Sequence, residues 1–378
     1  MDRLKDNILW RIWQEEHSGL LRKGSLRVYQ SLWWMSLGMV LGLTNPNQVA
    51  SFLGIPKDRL YRSLKELSPK DWIRLIQDMF IKLAAEHLLK LQSQSISSWS
   101  RAGVVLACDD TVLRRFAKAL SYLGTWWSGQ LGRTTKGHNV LVVVLKVQEK
   151  VYPVALWLMS KKGPKSSKPE RLKALLSQVY HRFSDMGVDC CRISVTVDSW
   201  YMSRSLAESI RQIGFKDLTG PMKSTWSLET PYGKTSAGVL AKSKLEELWG
   251  TDRPGIRIRA FSPKLGEGTF VCAEFGRRRI LWSSRTTRAC EVINRYRAHH
   301  WVEVFFKRCK HTLGMGSMSL RGRAGAWTSV CVPLLGYHLV MLAQKHLGTC
   351  FDQVCAEVRK LIWQDYLHKT LLFSSGFS

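Results

Sequence analysis

Apolar residues in the first hundred positions recur at the spacing of amphipathic helices. Leu60, Leu64 and Leu67 mark one such segment, and a second begins near Trp72. Ser68-Pro69 separates the two, and proline suits the first turn of the second helix. The Ser- and Gln-rich stretch 94–100 is typical of a linker. We therefore predict a helical N-terminal domain over residues 1–100.

Within this domain, residues 48–67 have the character of a helix-turn-helix. The pattern predicts a short helix that ends at Gly54 and a second helix from Lys57, with Arg59 and Arg62 on its outer side. Such a second helix can lie in the major groove of DNA. Any short helical hairpin with surface arginines has the same pattern, so a purely structural role stays open.

From Arg101 the pattern changes to short apolar runs. Segments with the spacing of amphipathic helices lie between some of these runs and after the last one. Runs of strand length occupy 104–108, 141–147, 151–158 and 193–197, with predicted helices over 166–180 and before Gly214. This order predicts an α/β domain over residues 101–220. A Rossmann domain is disfavoured because no Gly-x-Gly-x-x-Gly follows any strand.

The next part of the chain is punctuated by glycine and is β-rich over residues 221–289. We predict strands at 233–241, 256–260, 270–275 and 279–283, followed by a helix over 291–310 and another over 330–347. The stretch 324–344 is uncharged and long enough to need checking as a membrane span. Pro333 and several polar residues favour a buried helix instead, so we expect no membrane partner.

Composition indicates a basic globular protein. The 378 residues carry a net charge of +28, a pI near 10.0 and 16 tryptophans. Such charge favours a polyanion, most simply nucleic acid, as partner. It is densest over residues 252–323, where 16 Lys and Arg face 5 Asp and Glu. The nine cysteines have no metal-ligand spacing and indicate reduced, intracellular thiols.

Three acidic residues have neighbours that indicate chemistry. Asp109 and Asp198 each end an apolar run, in Asp109-Asp110-Thr111 and in Asp-Ser-Trp-Tyr, while Glu303 lies in a helical stretch. Oxygen ligands of this kind suit Mg²⁺ or Mn²⁺. Asp198 could instead cap a helix. Asp110 is the alternate for Asp109, because adjacent strand residues point to opposite faces.

These motifs resemble bacterial insertion-sequence transposases of the DDE type, in the insertion-sequence-four group. Tyr296, Glu303 and Lys310 fall on its Tyr-x2-Arg-x3-Glu-x6-Lys signature, with His299 in place of the arginine. The resemblance covers about residues 100–345. It implies a ribonuclease-H-like catalytic core over 101–220 and 290–345, a β-rich insertion over 221–289 and a C-terminal helical tail over 346–378.

The resemblance also implies site roles. Asp109, Asp198 and Glu303 are expected to be catalytic and to hold two Mg²⁺ or Mn²⁺ ions. Tyr296 and Lys310 are expected to contact DNA phosphates with Lys307, while His299 either weakly replaces the arginine or simply packs. Basic clusters are further candidates for DNA contact, and one tryptophan could stack a flipped base. The clusters include Arg277, Arg278, Arg279, Lys161, Lys162, Lys165, Lys168, Arg321 and Arg323, and the tryptophans are Trp226, Trp249 and Trp282.

The function so implied is a bacterial, cytoplasmic and nucleoid-associated transposase. It would cut double-stranded DNA at the terminal inverted repeats of its element and join the 3′ ends to target DNA as a homodimer on paired ends. Two rivals stay open: a domesticated transposase that binds DNA without cutting, and a structure-specific nuclease with the same core. Intact acidic residues argue against the first, and the seven-residue spacing of the signature argues against the second.

Overall fold

The computed structural model describes residues 26–94, 99, 101–115, 120–129, 131–161, 167–245, 255–275, 278–318 and 320–374. The predicted linker at 94–100 falls mostly outside these ranges. The chain divides into two compact units. Unit 1 comprises Met1–Met79, Leu113–His138 and Phe306–Ser378, and unit 2 comprises Phe80–Val112 and Asn139–Phe305. These boundaries differ from the predicted domains, because helices from both ends of the chain pack together in unit 1.

The helices are α1 (Leu26–Leu41), α2 (Pro46–Leu53), α3 (Lys57–Glu66), α4 (Pro69–Gln94), α5 (Lys168–Asp185), α6 (Arg204–Ile213), α7 (Ala237–Leu245), α8 (Ala289–Lys307), α9 (Gly322–Leu347) and α10 (Phe351–Ser374). The strands are β1 (Val105–Arg114), β2 (Gly124–Ser128), β3 (Arg133–Val147), β4 (Lys150–Leu158), β5 (Ser194–Val197), β6 (Asp217–Pro221), β7 (Ser227–Thr230), β8 (Gly233–Ser236), β9 (Gly255–Ile258), β10 (Thr269–Glu274) and β11 (Arg278–Ser283). The protein is therefore a mixed α/β structure.

Unit 1 contains the predicted helical hairpin, α2 and α3. The side chain of Asn45 accepts a hydrogen bond from the Gln48 amide and caps α2. Gly54 ends the helix with a φ of 63°, a left-handed conformation that glycine adopts without strain. Arg62 is exposed as predicted. Arg59 is half-buried instead, because it donates to the Gln30 side chain at 3.3 Å and lies over the Trp34 ring.

Helix α9 forms the centre of unit 1, where it packs against α1, α3 and α10. Its segment Gly322–Lys345 is long and apolar enough to cross a membrane, yet the most apolar part of that segment is wholly buried inside the protein. Thr328 uses its hydroxyl to accept from the Trp72 indole at 3.0 Å and to donate to the Leu64 carbonyl. The prediction of a buried helix is therefore confirmed.

Unit 2 is built on a mixed sheet with the strand order β3-β1-β5-β6-β11-β10-β9, in which β4 also pairs with β3. Strand β2 pairs with the first residues of β3, which belong with it to unit 1. Strand β1 pairs in parallel with β5, and β5 pairs in parallel with β6. The pairs β3–β4, β6–β11, β11–β10 and β10–β9 are antiparallel. Helix α5 connects β4 to β5 and packs on β4 and α6. Gly214 ends α6 with a φ of 110°, as the pattern predicted.

The β-rich stretch differs in part from its prediction. The predicted strand 233–241 ends at Ser236, and the following residues form α7, which packs on β10 and β11. Alanine, leucine and lysine favour a helix there. Strands β2, β6 and β7 were not predicted, because each is short and interrupted by polar residues, glycine or proline. Strand β6 is nevertheless completely buried between β5 and β11.

The signature helix is shorter than predicted. Helix α8 ends at Lys307, and residues Arg308–Thr312 form a π-helical turn that includes Lys310. A π turn places more residues in each turn than an α-helix does. The seven-residue spacing of Tyr296, Glu303 and Lys310 therefore does not place all three side chains on one face of a continuous α-helix.

Candidate active site

The parallel strands β1 and β5 bring two predicted carboxylates to the same edge of the sheet. Their ladder ends with the pair Cys108↔Val197. Asp109 is the next residue of β1, and Asp198 is the first residue after β5. Parallel strands end at a common edge, and ligand sites of open sheets lie there. The paired apolar runs thus place both carboxylates side by side, as the sequence pattern predicted.

A cavity of about 440 Å³ opens at this edge, within unit 2. All three predicted catalytic carboxylates line it, together with residues of the β6–β7 connection, α7, β11 and α8. The lining residues are Asp109, Asp198, Ser199, Pro221, Met222, Lys223, Ser224, Ala237, Gly238, Ala241, Arg278, Arg279, Ile280, Tyr296, His299 and Glu303.

Asp109 is the carboxylate whose ionisation is most disturbed. Burial raises its pKa from 3.8 to about 8, and the charges of Asp110, Asp198 and Glu303 add to the rise. One hydrogen bond opposes it, since the Asp110 amide donates to Asp109 Oδ1 at 2.7 Å. Ionising Asp109 is costly because it is buried beside other carboxylates. A bound cation would lower that cost.

Asp110 points to a different environment from Asp109. Its carboxylate accepts hydrogen bonds from the Asn139 amide and the Tyr201 hydroxyl, and it forms an ion pair with Lys168 at 2.7 Å. It does not line the cavity. Burial, followed by the charge of Asp110, raises the pKa of Tyr201, so this hydroxyl stays a proton donor. The structure therefore separates the two adjacent aspartates, as strand alternation requires.

Asp198 is not the cap of the following helix. Helix α6 begins at Arg204, and its N-cap is Ser203, whose hydroxyl accepts from the Leu206 amide at 3.2 Å. Asp198 instead accepts from the Trp200 amide at 3.1 Å within a tight turn. The capping alternative for Asp198 is therefore wrong, and its carboxylate faces the cavity.

Glu303 comes to the cavity from α8 and is its most exposed acidic side chain. Its Oε2 lies 3.1 Å from His300 Nδ1, with 65% of the Glu303 side chain exposed. Within the described ranges, no three His, Cys, Asp or Glu side chains are arranged to hold a metal ion as they stand. The donor chemistry fits Mg²⁺ or Mn²⁺, and Glu303 can turn from His300 because its side chain is held by this one exposed contact.

His299 packs beneath the cavity as a neutral side chain. It is 6% exposed, and burial lowers its pKa to about 4 despite the charges of Asp198 and Glu303. Its ring stacks on Tyr296 with centroids 5.7 Å apart, and its Nδ1 has no hydrogen-bond partner among the described residues. The structure thus bears out packing rather than a cationic substitute for arginine.

One wall of the cavity is basic. Arg279 donates from Nη1 to the Tyr296 hydroxyl at 2.7 Å, and Arg278 is exposed at the start of β11. Lys223 and Ser224, both exposed, contribute from the connection after β6. Sequence reasoning found the two arginines from their charge cluster but missed Lys223 and Ser224. The only sequence signal for Lys223 and Ser224 is that they form a short polar segment after β6. Strand β6 was itself not predicted.

The other predicted residues that the structure describes are not among those that line the cavity. Lys307 is exposed, and the half-buried Lys310 lies over the Phe306 ring at 5.8 Å; these three belong to unit 1. Arg59 and Arg62 also belong to unit 1. Arg321 and Arg323 are exposed there, and Lys161 is exposed in unit 2. Arg277, Lys162, Lys165 and Trp249 lie outside the described residues.

The two described tryptophan candidates are core residues. Trp282 is 1% exposed, and Trp226 is 9% exposed and is covered by Lys223 and Lys264 at 5.7 and 5.3 Å. Neither offers an open face for a base. Trp200, next to the catalytic candidate Asp198, is 55% exposed instead.

Comparison with known proteins gives no assignment. No protein-family model matches this chain, and a search of curated proteins found no match to its sequence.

Proposed function

We propose that this protein is a DDE transposase that cuts double-stranded DNA at the ends of its own insertion sequence and joins the 3′ ends to target DNA. The observation that carries the proposal is the convergence of Asp109, Asp198 and Glu303 on one cavity with a basic wall. These three residues come from β1, the end of β5 and α8, which lie far apart in the sequence. The same three are the acidic residues that the sequence motifs select.

The topology supports a ribonuclease-H-like core. The first five strands of the sheet in unit 2 have the spatial order β4-β3-β1-β5-β6, with β1, β5 and β6 parallel. Three strands of a meander, a helix and two parallel strands are the arrangement expected of that core. Strands β7 to β11 and α7 then lie between the second and third carboxylates in sequence, where the resemblance implies an insertion.

Asp109, Asp198 and Glu303 would hold two Mg²⁺ or Mn²⁺ ions. Bound there, the ions would activate the attacking oxygen and stabilise the leaving 3′ oxygen on either side of the phosphorus. The chain's own contribution is to hold three carboxylates at one edge and to present cationic groups to the DNA backbone. Arg278, Arg279 and Lys223, which line the cavity, would contact phosphates beside the cut.

The wider assignment follows from charge and resemblance. A net charge of +28 suits a protein that binds both element ends and target DNA. Exposed Arg62 on α3 would contribute DNA contacts from unit 1. We propose a homodimer on paired ends, acting on the bacterial chromosome in the cytoplasm.

The test is cleavage of labelled DNA that carries the terminal repeats flanking the gene, with Mg²⁺ or Mn²⁺. We expect cuts at the repeat boundary for the wild type, and a loss of at least about 100- to 1,000-fold for Asp198→Ala. Asp185→Asn is the matched control, because Asp185 is an exposed aspartate at the end of α5.

Each result has a distinct meaning. Metal-dependent cutting that Asp198→Ala abolishes and Asp185→Asn retains supports the transposase. Tight binding of the repeats without cutting by any of the three proteins refutes it and favours a domesticated DNA-binding protein. Cutting of branched DNA in preference to the repeats favours a structure-specific nuclease.

A further inference from the structure

The carboxylate of Asp110 joins three parts of unit 2. It pairs with Lys168, the first residue of α5, and accepts from Asn139 on β3 and from Tyr201 in the turn after β5. The side chains of Asp110 and Lys168 are only 14% and 18% exposed, and Tyr201 is 1% exposed. Charge-assisted hydrogen bonds in such surroundings are stronger than those at the surface.

These contacts begin where the backbone ladder stops. Strands β1 and β5 pair as far as Cys108↔Val197, so no backbone hydrogen bond of that ladder fixes Asp109 against Asp198. The residues after Asp198 form a turn until α6 begins at Arg204. Asp110 lies one residue after Asp109 and bonds to Tyr201, three residues after Asp198. The side-chain network therefore continues the connection between the two strand ends.

The turn itself transmits this connection to Asp198. The Tyr201 amide donates to the Asp198 carbonyl at 3.1 Å, and the Trp200 amide donates to the Asp198 carboxylate at 3.1 Å. Lys168 Nζ also lies over the Trp200 ring at 5.2 Å. Both of these turn residues are thus attached to the Asp110–Lys168 pair.

We infer that Asp110, Lys168 and Tyr201 form a clamp that fixes the separation of Asp109 and Asp198. The three are positioning residues and not metal ligands, because Lys168 neutralises Asp110 and none of them lines the cavity. The effect of these residues on metal binding rests on the proposed function. The inference that they connect the two strand ends does not rest on it.

A clamp is needed because the two carboxylates it holds repel each other. Asp109 and Asp198 follow the last paired residues of neighbouring parallel strands and line the same cavity, so their carboxyl groups lie close together. When both are ionised, as metal binding requires, this repulsion favours separation of the strand ends beyond the last backbone pair. Residues that hold metal ligands in place typically contribute about 10- to 100-fold in metal affinity or activity.

The variants are Tyr201→Phe, which removes one hydroxyl, and Lys168→Met, which removes one cation. Tyr152→Phe is the matched control for the first, because Tyr152 is also buried in unit 2 and its hydroxyl bonds to His87 Nδ1 at 2.9 Å. Lys173→Met controls the second, since Lys173 lies on the same helix and pairs with the exposed Glu170. Lys168→Arg restores the charge.

Two measurements are made on the full-length protein. Hydrogen exchange by mass spectrometry follows the segments 105–114 and 198–203 without metal, and Mn²⁺ titration followed by electron paramagnetic resonance gives metal affinity. We expect Tyr201→Phe and Lys168→Met to exchange faster in both segments and to bind Mn²⁺ about 10-fold more weakly. Lys168→Arg should recover most of both, and the two controls should match the wild type.

The outcomes separate the two proposals. Unchanged exchange in both clamp variants overturns the clamp, as does faster exchange with Mn²⁺ affinity equal to that of the wild type. If the wild type binds no Mn²⁺ through Asp109, the proposed function fails, and the exchange data alone then support or overturn the tie between the strand ends. A clamp variant that has lost its circular dichroism spectrum is replaced by Lys168→Arg, whose expected exchange lies between wild type and Lys168→Met.

Discussion

Replacement of Asp109 by asparagine is expected to stabilise the metal-free protein, with a gain that grows as the pH rises. Folded Asp109 has a pKa of about 8, against 3.8 for an ordinary aspartate. Between these values the folded state holds a proton that the unfolded chain has released. Stability contributed by this group is therefore complete at low pH and is lost as the pH rises towards 8.

The size of the effect follows from this difference. Each pH unit inside the window lowers the free energy of unfolding by about 1.4 kcal/mol. From about pH 5 to about pH 8 the loss would reach roughly 4 kcal/mol, and relaxation of the site reduces it to about 2–4 kcal/mol. The asparagine side chain carries no charge and keeps an oxygen for the Asp110 amide, which donates to Asp109 Oδ1 at 2.7 Å in the wild type.

Urea unfolding in the presence of a chelator measures this effect directly. The free energy of unfolding of Asp109→Asn minus that of the wild type should rise by about 2–4 kcal/mol across this pH range. The difference cancels the other titrating groups. The exposed control Asp185→Asn should give a flat difference. Added Mg²⁺ should raise the stability of the wild type far more than that of Asp109→Asn.

A flat difference for Asp109→Asn would refute the reasoning, because it would mean that Asp109 ionises freely beside Asp198 and Glu303. A fall in stability of Asp109→Asn at every pH would also refute it. That outcome would make the carboxylate a structural hydrogen-bonding group.

Three further predictions concern DNA and the signature helix. Glu303→Gln should retain binding of the terminal repeats in a gel-shift assay while single-turnover cleavage falls about 100- to 1,000-fold, whereas equal losses of both would place Glu303 in DNA binding. Arg278→Ala should weaken DNA binding and reduce the slope of log affinity against log salt by about 0.9, the value of one phosphate contact, and an unchanged slope would remove Arg278 from the interface. Because burial lowers the pKa of His299 to about 4, NMR should show its imidazole neutral from about pH 6 to 8, and a titration midpoint inside that range would contradict the buried placement.

The sequence pattern predicted the strands that are buried on both of their faces. The apolar runs at 104–108, 141–147 and 151–158 correspond to β1, β3 and β4. It missed the continuation of β1 to Arg114, because Asp109, Asp110 and Thr111 break the apolar pattern. A polar residue such as Asp110 remains in a strand here because its side chain finds partners in distant segments. No local window of sequence contains those partners.

Some residues of the site could be predicted from the sequence, and others could not. The three carboxylates could be selected because the three separate motifs that contain them resemble those of a known family, whereas local pattern alone left Asp198 as a candidate cap. Lys223, Ser224 and the small residues of α7 could not be found, since they reach the cavity only through the packing of α7 on β11. The role expected for His299 depended on its exposure, which the sequence does not encode locally.

Asp109 and Asp110 show why identical neighbours need the structure to tell them apart. Strand alternation states that they face different environments, but both are aspartates and either could face the cavity. The decision is made by Asn139, Lys168 and Tyr201, which satisfy Asp110 and leave Asp109 among other carboxylates. A fold selected for stability alone would not place Asp109 among other carboxylates, because that placement raises the cost of ionising it. Its presence next to a carboxylate that is fully paired is the physical argument for proposing that Asp109 acts in the chemistry and Asp110 in positioning.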